Sequence, residues 1–467
     1  MLFSSITFLY YFLPLVILLY FILPFRYKNL LLLVSSLIFY AWGEPLYCML
    51  MLLAILQSYF IGMRIEAAGG TIRAKRWLVL SVVLCLGILG FFKYYNFFVA
   101  NVRELTHLPL PILAIALPMG ISFYIFQIMS YTVDVYRGTA KAEKNLLYFM
   151  TYAVLFPQLV AGPIVRYTDI SQQLHHRTHS LSQTYLGSRR FLTGLAKKVL
   201  FANSFGMLCS QFDLSKDRSV LFYWLYGVAY TLQIYYDFSG YSDMAIGLGR
   251  IFGFEFMENF NYPYISKSIT EFWRRWHISL SSWFKDYVYI PLGGNRVPVP
   301  RQILNLLVVW MLTGLWHGAA WNFVLWGLFF ALLLILEKFI LLKRKWYGKG
   351  FFAHCYIMVA IIISFVLFRA ESLGQAASDI GSMLGLAKLP VISVEAWYYM
   401  RSYGVILLMG ALGATPIIRK GLHHIIGTKP GAQAAVVLEP VLLGGLLLLI
   451  TGYLVDGSFN PFLYFRF

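Results

Sequence analysis

Apolar residues along this chain come in long runs separated by short basic clusters, the pattern of bilayer-length helices joined by polar loops. Runs suited to spanning fall near Ser4–Pro24, Asn29–Trp42, Leu46–Met63, Leu78–Phe98 and Pro111–Val133. Others lie near Phe191–Ser210, Val220–Tyr236, Gln302–Trp316, Trp321–Ile340, Phe351–Phe368, Ser402–Ile418 and Ala435–Leu454. The pattern predicts an all-α polytopic membrane protein with about 11–12 transmembrane helices, built as one domain over residues 1–467.

The basic clusters fall at Arg26–Lys28, Arg64–Arg76, Arg137–Lys144, Arg166–Lys198, Arg274–Arg301, Lys343–Lys349 and Arg419–Lys429. Placing all of them in the cytoplasm, as the positive-inside rule asks, gives a consistent path with the N-terminus outside. That path requires the segment around Tyr148–Arg166 to enter and return on one side. Such a re-entrant segment must be buried in protein, because lipid cannot satisfy its backbone. Gln158, Gly162 and Pro163 are suited to breaking the helix there.

Composition agrees with a membrane class: 60% of residues are hydrophobic and 12% charged, with a mean hydropathy of +0.69. The formal charge of +18 would suggest nucleic acid in a soluble protein, but here the cytoplasmic loops account for most of it. Cys48, Cys85, Cys209 and Cys355 lie in or beside apolar runs, without CxxC or metal spacing, which argues against a disulfide framework and structural zinc. The apolar start carries no charged n-region and reads as a retained first span.

One apolar stretch, Ile303–Leu336, contains no Lys, Arg, Asp or Glu, and His317 sits near its centre. It is too long for one span and short for two, which predicts two helices meeting near Gly318. A titratable ring at that depth is expensive and has a partner or a task. Packing alone would satisfy it in a soluble core; within a bilayer the larger penalty favours function. Gly314 and Gly318 allow close backbone approach beside it.

Just upstream, Glu271–Arg296 reads EFWRRWHISLSSWFKDYVYIPLGGNR. As one helix it puts Trp273, Trp276, His277, Leu280, Phe284 and Tyr287 on a broad face, before Pro291, Gly293 and Gly294 end it. An interfacial amphipathic helix explains its cations, but not a histidine on the apolar face. In Tyr235–Asp243, YYDFSGYSD, a helix break capped by Asp or Ser is favoured over a metal site. Asn96, Asp134, Asn259 and Asn261 suit caps or turns. The pairs His175–His176 and His423–His424 read as solvated loop residues rather than metal ligands, and no metal site is expected. No GxSxG elbow, P-loop or GxGxxG in a strand-to-helix context occurs, so serine-hydrolase, ATPase and dinucleotide readings have no support.

The segments FWRRWHISLSSWFKDYVYIPLGGNR and GLWHGAAWNFVLWG together resemble the membrane-bound O-acyltransferase family, and the PLGGNR turn is similar to its bacterial alginate O-acetyltransferase membrane-subunit branch. LPMGISFYIFQIMSYTVDVYRG, FPQLVAGPIVRY, YYDFSGYSDMAIGLGRIFGFEFMENFNYPY and the FNPFLYFRF ending agree. The resemblance implies a helical bundle with re-entrant and interfacial helices around a central funnel, with the family's invariant histidine at His317 and its second at His277. It implies acetyl transfer from a cytoplasmic donor, acetyl-CoA or another acyl thioester, with no tightly bound cofactor. The acceptor is then an alginate-like or other envelope polysaccharide, reached directly or through a secreted or membrane-anchored partner acetyltransferase at the bacterial inner membrane; nucleic acid is no partner. A neutral imidazole suits removal of a hydroxyl proton near pH 7, which makes His317 the expected base and His277 a donor-orienting or proton-relaying residue. Arg274, Arg275, Lys285 and Arg296 are candidate contacts for donor phosphates, and Trp316 or Asn322 candidate oxyanion donors. D-alanyl or other acyl transfer to a cell-wall polymer, and a transporter or export channel without chemistry, stay open as alternatives.

Overall fold

The computed structural model describes residues 1–344 and 347–457, and every regular element among them is helical. The FNPFLYFRF ending lies outside the described residues, as do two positions of the Lys343–Lys349 cluster. Among the described residues, six helices are long and apolar enough to cross a membrane: Pro45–Ala68, Ile72–Thr106, Val299–His317, Trp321–Lys343, Gly350–Arg369 and Lys429–Val455. The pair Val394–Gly413 and Ile417–Ile426, bent by 68°, makes a seventh when taken as one span. This is a multi-pass membrane protein. The remaining apolar runs also form helices, but shorter ones such as Ile121–Arg137, or tyrosine-rich ones such as Val220–Ile251. The side chains of these two helices are largely buried within the protein rather than turned outward.

Contacts group the chain into two compact units, Met1–Phe191 with Ser242–Glu258, and Leu192–Tyr241 with the chain from Asn259 onward. In the first, helices α1 (Leu13–Ile22) and α2 (Phe25–Ala41) join through a two-residue turn at Leu23 and Pro24. The expected re-entrant segment is a helix, Leu146–Val154, that breaks at Leu155 and resumes for one turn at Phe156–Leu159. Residues 151–165 are buried without interruption, as broken backbone at membrane depth requires. Ser36 Oγ accepts from the Phe156 amide at 2.9 Å, within this unit. Gly162 permits the return: a Cβ there would lie 2.5 Å from the Gln158 Cα. The next helix is α3, Tyr167–His175. His175 thus ends a helix, with Glu143 2.9 Å from its ring, and His423 and His424 also lie on a helix rather than in a loop.

The expected break at Tyr235–Asp243 does not occur. Helix α4 runs unbroken from Val220 to Ile251, 32 residues. Asp237 is instead an interior charge, with Lys198 Nζ 2.6 Å from its carboxylate and both side chains 2–3% exposed. Gly240 lets two backbones meet, since a Cβ there would sit 2.7 Å from the Gly194 carbonyl oxygen. Residues that read as helix breakers therefore act as contacts between packed helices.

Beyond Asn259 the second unit builds α5 (Ile269–Arg275), α6 (Ile278–Phe284), α7 (Val299–His317), α8 (Trp321–Phe339) and α9 (Gly350–Arg369). The long charge-free stretch does divide into two helices, α7 ending at His317 and α8 starting at Trp321. They pack backbone against backbone. A Cβ on Gly314 would lie 2.2 Å from the Phe323 carbonyl oxygen, and one on Gly327 2.1 Å from that of Trp310. This close approach of small residues is the usual way for membrane helices to gain packing without a hydrophobic drive.

Candidate active site

The predicted single helix over Glu271–Tyr287 is two short helices with His277 at the joint. The α5 helix ends at Trp276, and His277 adopts the left-handed conformation (φ 44°, ψ 54°) before α6 begins. That conformation costs a non-glycine residue energy and persists only where its surroundings hold it. The holding groups are polar. Ser268 Oγ accepts from the Glu271 amide at 3.0 Å, and the buried Glu337 carboxylate of α8 accepts from the amides of Ile269 (2.7 Å) and Thr270 (3.1 Å). A carboxylate on the first amides of a helix also meets the positive end of its dipole.

On the other side of the joint, Asn259 takes the capping role. Its Oδ1 accepts from the Ser279 amide (3.1 Å) and hydroxyl (3.0 Å), and its backbone oxygen from the Ile278 amide (3.0 Å). The bond from a backbone N–H identifies that side-chain atom as oxygen. His277 Nδ1, 3.3 Å from the same Oδ1, is then the protonated nitrogen, and Nε2 carries the lone pair. Nε2 is buried and has no hydrogen-bond partner. Burial first, and the facing His317 second, push the His277 pKa well below its usual 6.5.

His317, 5% exposed, closes α7 and faces this joint, its ring centroid 6.5 Å from that of His277. Aromatic rings surround both. Trp316, Trp326 and Phe368 lie 5.0, 5.0 and 5.3 Å from His317, and Phe238 stands edge-on to His277 at 4.6 Å. Two indole N–H groups in the same aromatic cluster, Trp273 Nε1 and Trp326 Nε1, are buried without acceptors. An acceptor nitrogen and two donors, all unsatisfied inside a low-dielectric shell, carry a free-energy penalty that a polar ligand bound there would relieve.

The structure sorts the other predicted contacts. Arg275 is committed to Glu271 Oε1 (2.9 Å) and the Asn261 carbonyl (3.1 Å), which removes it from the set of open cations. Arg274, Lys285 and Arg296 are exposed. Lys285 lines a cavity of about 170 Å³ with Trp273, Ser281, Trp310 and Thr313. Asn322 is not an oxyanion donor: its amide holds the carbonyls of Phe368 (3.2 Å) and Ala370 (2.9 Å) and ties α8 to the end of α9. Trp316 packs against both imidazoles. Sequence reading missed Glu337 and Trp326. Glu337 is the first charge after the apolar stretch, which is the one signal that marked it. Among the described residues no cluster of His, Cys, Asp or Glu is arranged to hold a metal.

The depressed His277 pKa has a measurable consequence. The folded state keeps this ring neutral, whereas the unfolded chain takes up a proton below about pH 6.5. Its contribution is constant above that pH and turns against folding below it, by about 1.4 kcal/mol per pH unit. Thermal unfolding of the purified protein is expected to show a steeper loss of Tm between pH 6.5 and 5 than the His277→Gln variant.

Residues 34–374 match the model of MBOAT, the membrane-bound O-acyltransferase family, and the chain belongs to that family. It is 40% identical to probable alginate O-acetylase AlgI of Azotobacter vinelandii over the full length of both chains. It is 45% identical to the protein of the same name from Pseudomonas aeruginosa over 80% of this chain and 73% of that one. It is also 34% identical to the peptidoglycan O-acetyltransferase of Helicobacter pylori over 83% and 80% of the two chains. The protein is a multi-pass membrane O-acyltransferase.

Proposed function

We propose that the His277–His317 pair is the acyl-transfer centre and that the group moved is acetyl. Its donor is a cytoplasmic thioester of the acetyl-CoA type. Its destination is a hydroxyl of an exported, alginate-like envelope polysaccharide, reached directly or through a secreted or membrane-anchored partner acetyltransferase at the bacterial inner membrane. The observation that carries this reading is the juxtaposition of two imidazoles, one with an unsatisfied lone pair, among orphan indole donors. The relatives' names, alginate O-acetylase and peptidoglycan O-acetyltransferase, support acetyl as the group and an envelope polymer as its destination.

In this scheme His317 accepts the hydroxyl proton as the acceptor oxygen attacks the thioester carbonyl, the C–S bond breaks, and the proton passes to the departing thiolate. His277 Nε2 receives a hydrogen bond from donor or acceptor and holds it in line. Trp326 Nε1, on the ring packed against His317, donates toward negative charge on the carbonyl oxygen. Arg274, Lys285 and Arg296 supply exposed charge for the donor's phosphates. Both rings are buried, so the donor reaches them only when the aromatic side chains around them part; the same enclosure protects a thioester from water.

Mass analysis of the envelope polymer from a strain lacking this gene tests the reading. Polymer exported at normal yield but stripped of O-acetyl groups is the expected result. Acetylation intact, or export lost in parallel, overturns it, the latter in favour of a channel. Loss of D-alanyl rather than acetyl esters moves the assignment to the other acyl group.

A further inference from the structure

Far along the sequence from either histidine, the first unit contains a second cavity, of about 570 Å³, lined among others by Phe25, Gln173, Arg177, Arg250, Gly253 and Phe254. Arg177 is its core. It is 9% exposed, yet its bonded partners are all uncharged oxygens. Nε donates to the Tyr20 hydroxyl (2.9 Å) and the Phe252 carbonyl (3.0 Å), and one terminal nitrogen to the Gln173 carbonyl (3.0 Å). The other terminal nitrogen, Nη2, is buried with no partner at all. A guanidinium withdrawn from water without a counter-anion is costly, and a half-satisfied one more so.

The fixed charges nearby, Lys28 and Arg250, add to the positive charge rather than offset it, and the neighbouring histidines supply no counter-anion. Lys28, a buried residue, holds its Nζ over the Tyr20 ring at 4.5 Å. His179 Nε2 is 2.8 Å from the Tyr20 hydroxyl, and Arg250 and the exposed His176 line the cavity. Glu255 is the one carboxylate among the lining residues, and it is exposed at the rim. The space is also kept open by construction. Gly253 sits at φ +81°, where a Cβ would meet His179 Nε2 at 3.1 Å and Arg177 Cδ at 3.2 Å. Phe25 and Phe254 stack on the guanidinium, 5.2 and 4.5 Å from its carbon, and hold its orphan nitrogen in place.

We propose that this cavity is a binding site for a phosphate-bearing anion, with Arg177 as its central ligand and Arg250 and Lys28 as flanking charge. A phosphate oxygen satisfies the guanidinium's open donor and neutralises the buried cluster in one step. The adjoining surface favours a phospholipid headgroup as the source. Phe21, Ile22, Tyr27 and Leu30, on α1 and α2 beside Phe25 and Lys28, are exposed apolar side chains suited to acyl chains. A soluble phosphate shares the same headgroup chemistry and is distinguished by experiment.

The test uses the full-length protein, delipidated in a neutral detergent. Native mass spectrometry reads retention of added phosphatidylglycerol against phosphatidylcholine, and thermal unfolding reads the effect of inorganic phosphate. Wild type is expected to retain one phosphatidylglycerol preferentially, with retention falling about tenfold in Arg177→Gln, the scale of one charge-assisted hydrogen bond. Arg177 also braces Tyr20 and Phe252, so Arg250→Gln, outside that knot, is the second variant; weakened retention there at an unchanged Tm supports the site even where Arg177→Gln fails to fold. A Tm increase with inorganic phosphate that the variants lose, without lipid preference, supports the site with a soluble ligand. Equal lipid retention by wild type and the folded variants, with no phosphate effect on Tm, overturns the proposal.

Discussion

Replacing His317 by glutamine is expected to abolish polymer acetylation while the protein accumulates normally. A positioned general base contributes roughly 100- to 10,000-fold to such a transfer, and removing it leaves at most about 1% of the rate. Glutamine approximates the ring's reach and polarity and can pack against Trp316, Trp326 and Phe368 as the imidazole does, so the fold is expected to be retained. Polymer export, scored in the same cells, is expected to be unaffected. His277→Gln gives the informative contrast. The amide can donate the same bond to Asn259 Oδ1 but presents a different atom where Nε2 stood, so its effect falls on donor use as well as on rate. Full acetylation by His317→Gln would remove the imidazole from the mechanism and leave a scaffold for a separate transferase.

The second large effect concerns a residue with no place in the chemistry. Lys198→Ala leaves the Asp237 carboxylate 2% exposed without its ammonium partner. Stranding one member of a buried pair costs about 3–5 kcal/mol, and the variant is expected to unfold many degrees below wild type in detergent. The paired replacement Lys198→Met with Asp237→Leu is expected to recover most of that loss, because it removes both desolvated charges together. A Tm unchanged by Lys198→Ala would show that water reaches the carboxylate and that the pair contributes little.

Much of this architecture was legible in the pattern of apolar runs. The helical class, the division of Ile303–Leu336 into two helices at Gly318, and the buried broken segment at Tyr148–Arg166 all follow from length, charge and backbone satisfaction. What escaped was tertiary. Asp237, Ser239 and Gly240 form a legitimate turn signature in isolation, but a lysine 39 positions earlier and a glycine-sized gap against another helix convert them into interior contacts. The kink at His277 escaped for a similar reason. Apolar spacing across Trp273–Tyr287 supports an unbroken helix, and only Asn259 and Glu337, distant in sequence, hold the break. His277 and His317 were both identifiable from their settings, and only the folded chain shows the lone pair on one and the indole donors beside them.

Glu337 near one end of α8 grips the first amides of α5, while Trp326, three turns away on the same rod, walls in His317. One rod thus braces both the hinge that bears His277 and the aromatic wall behind His317. A substitution that shortens or tilts α8 is therefore expected to disturb the settings of both imidazoles at once.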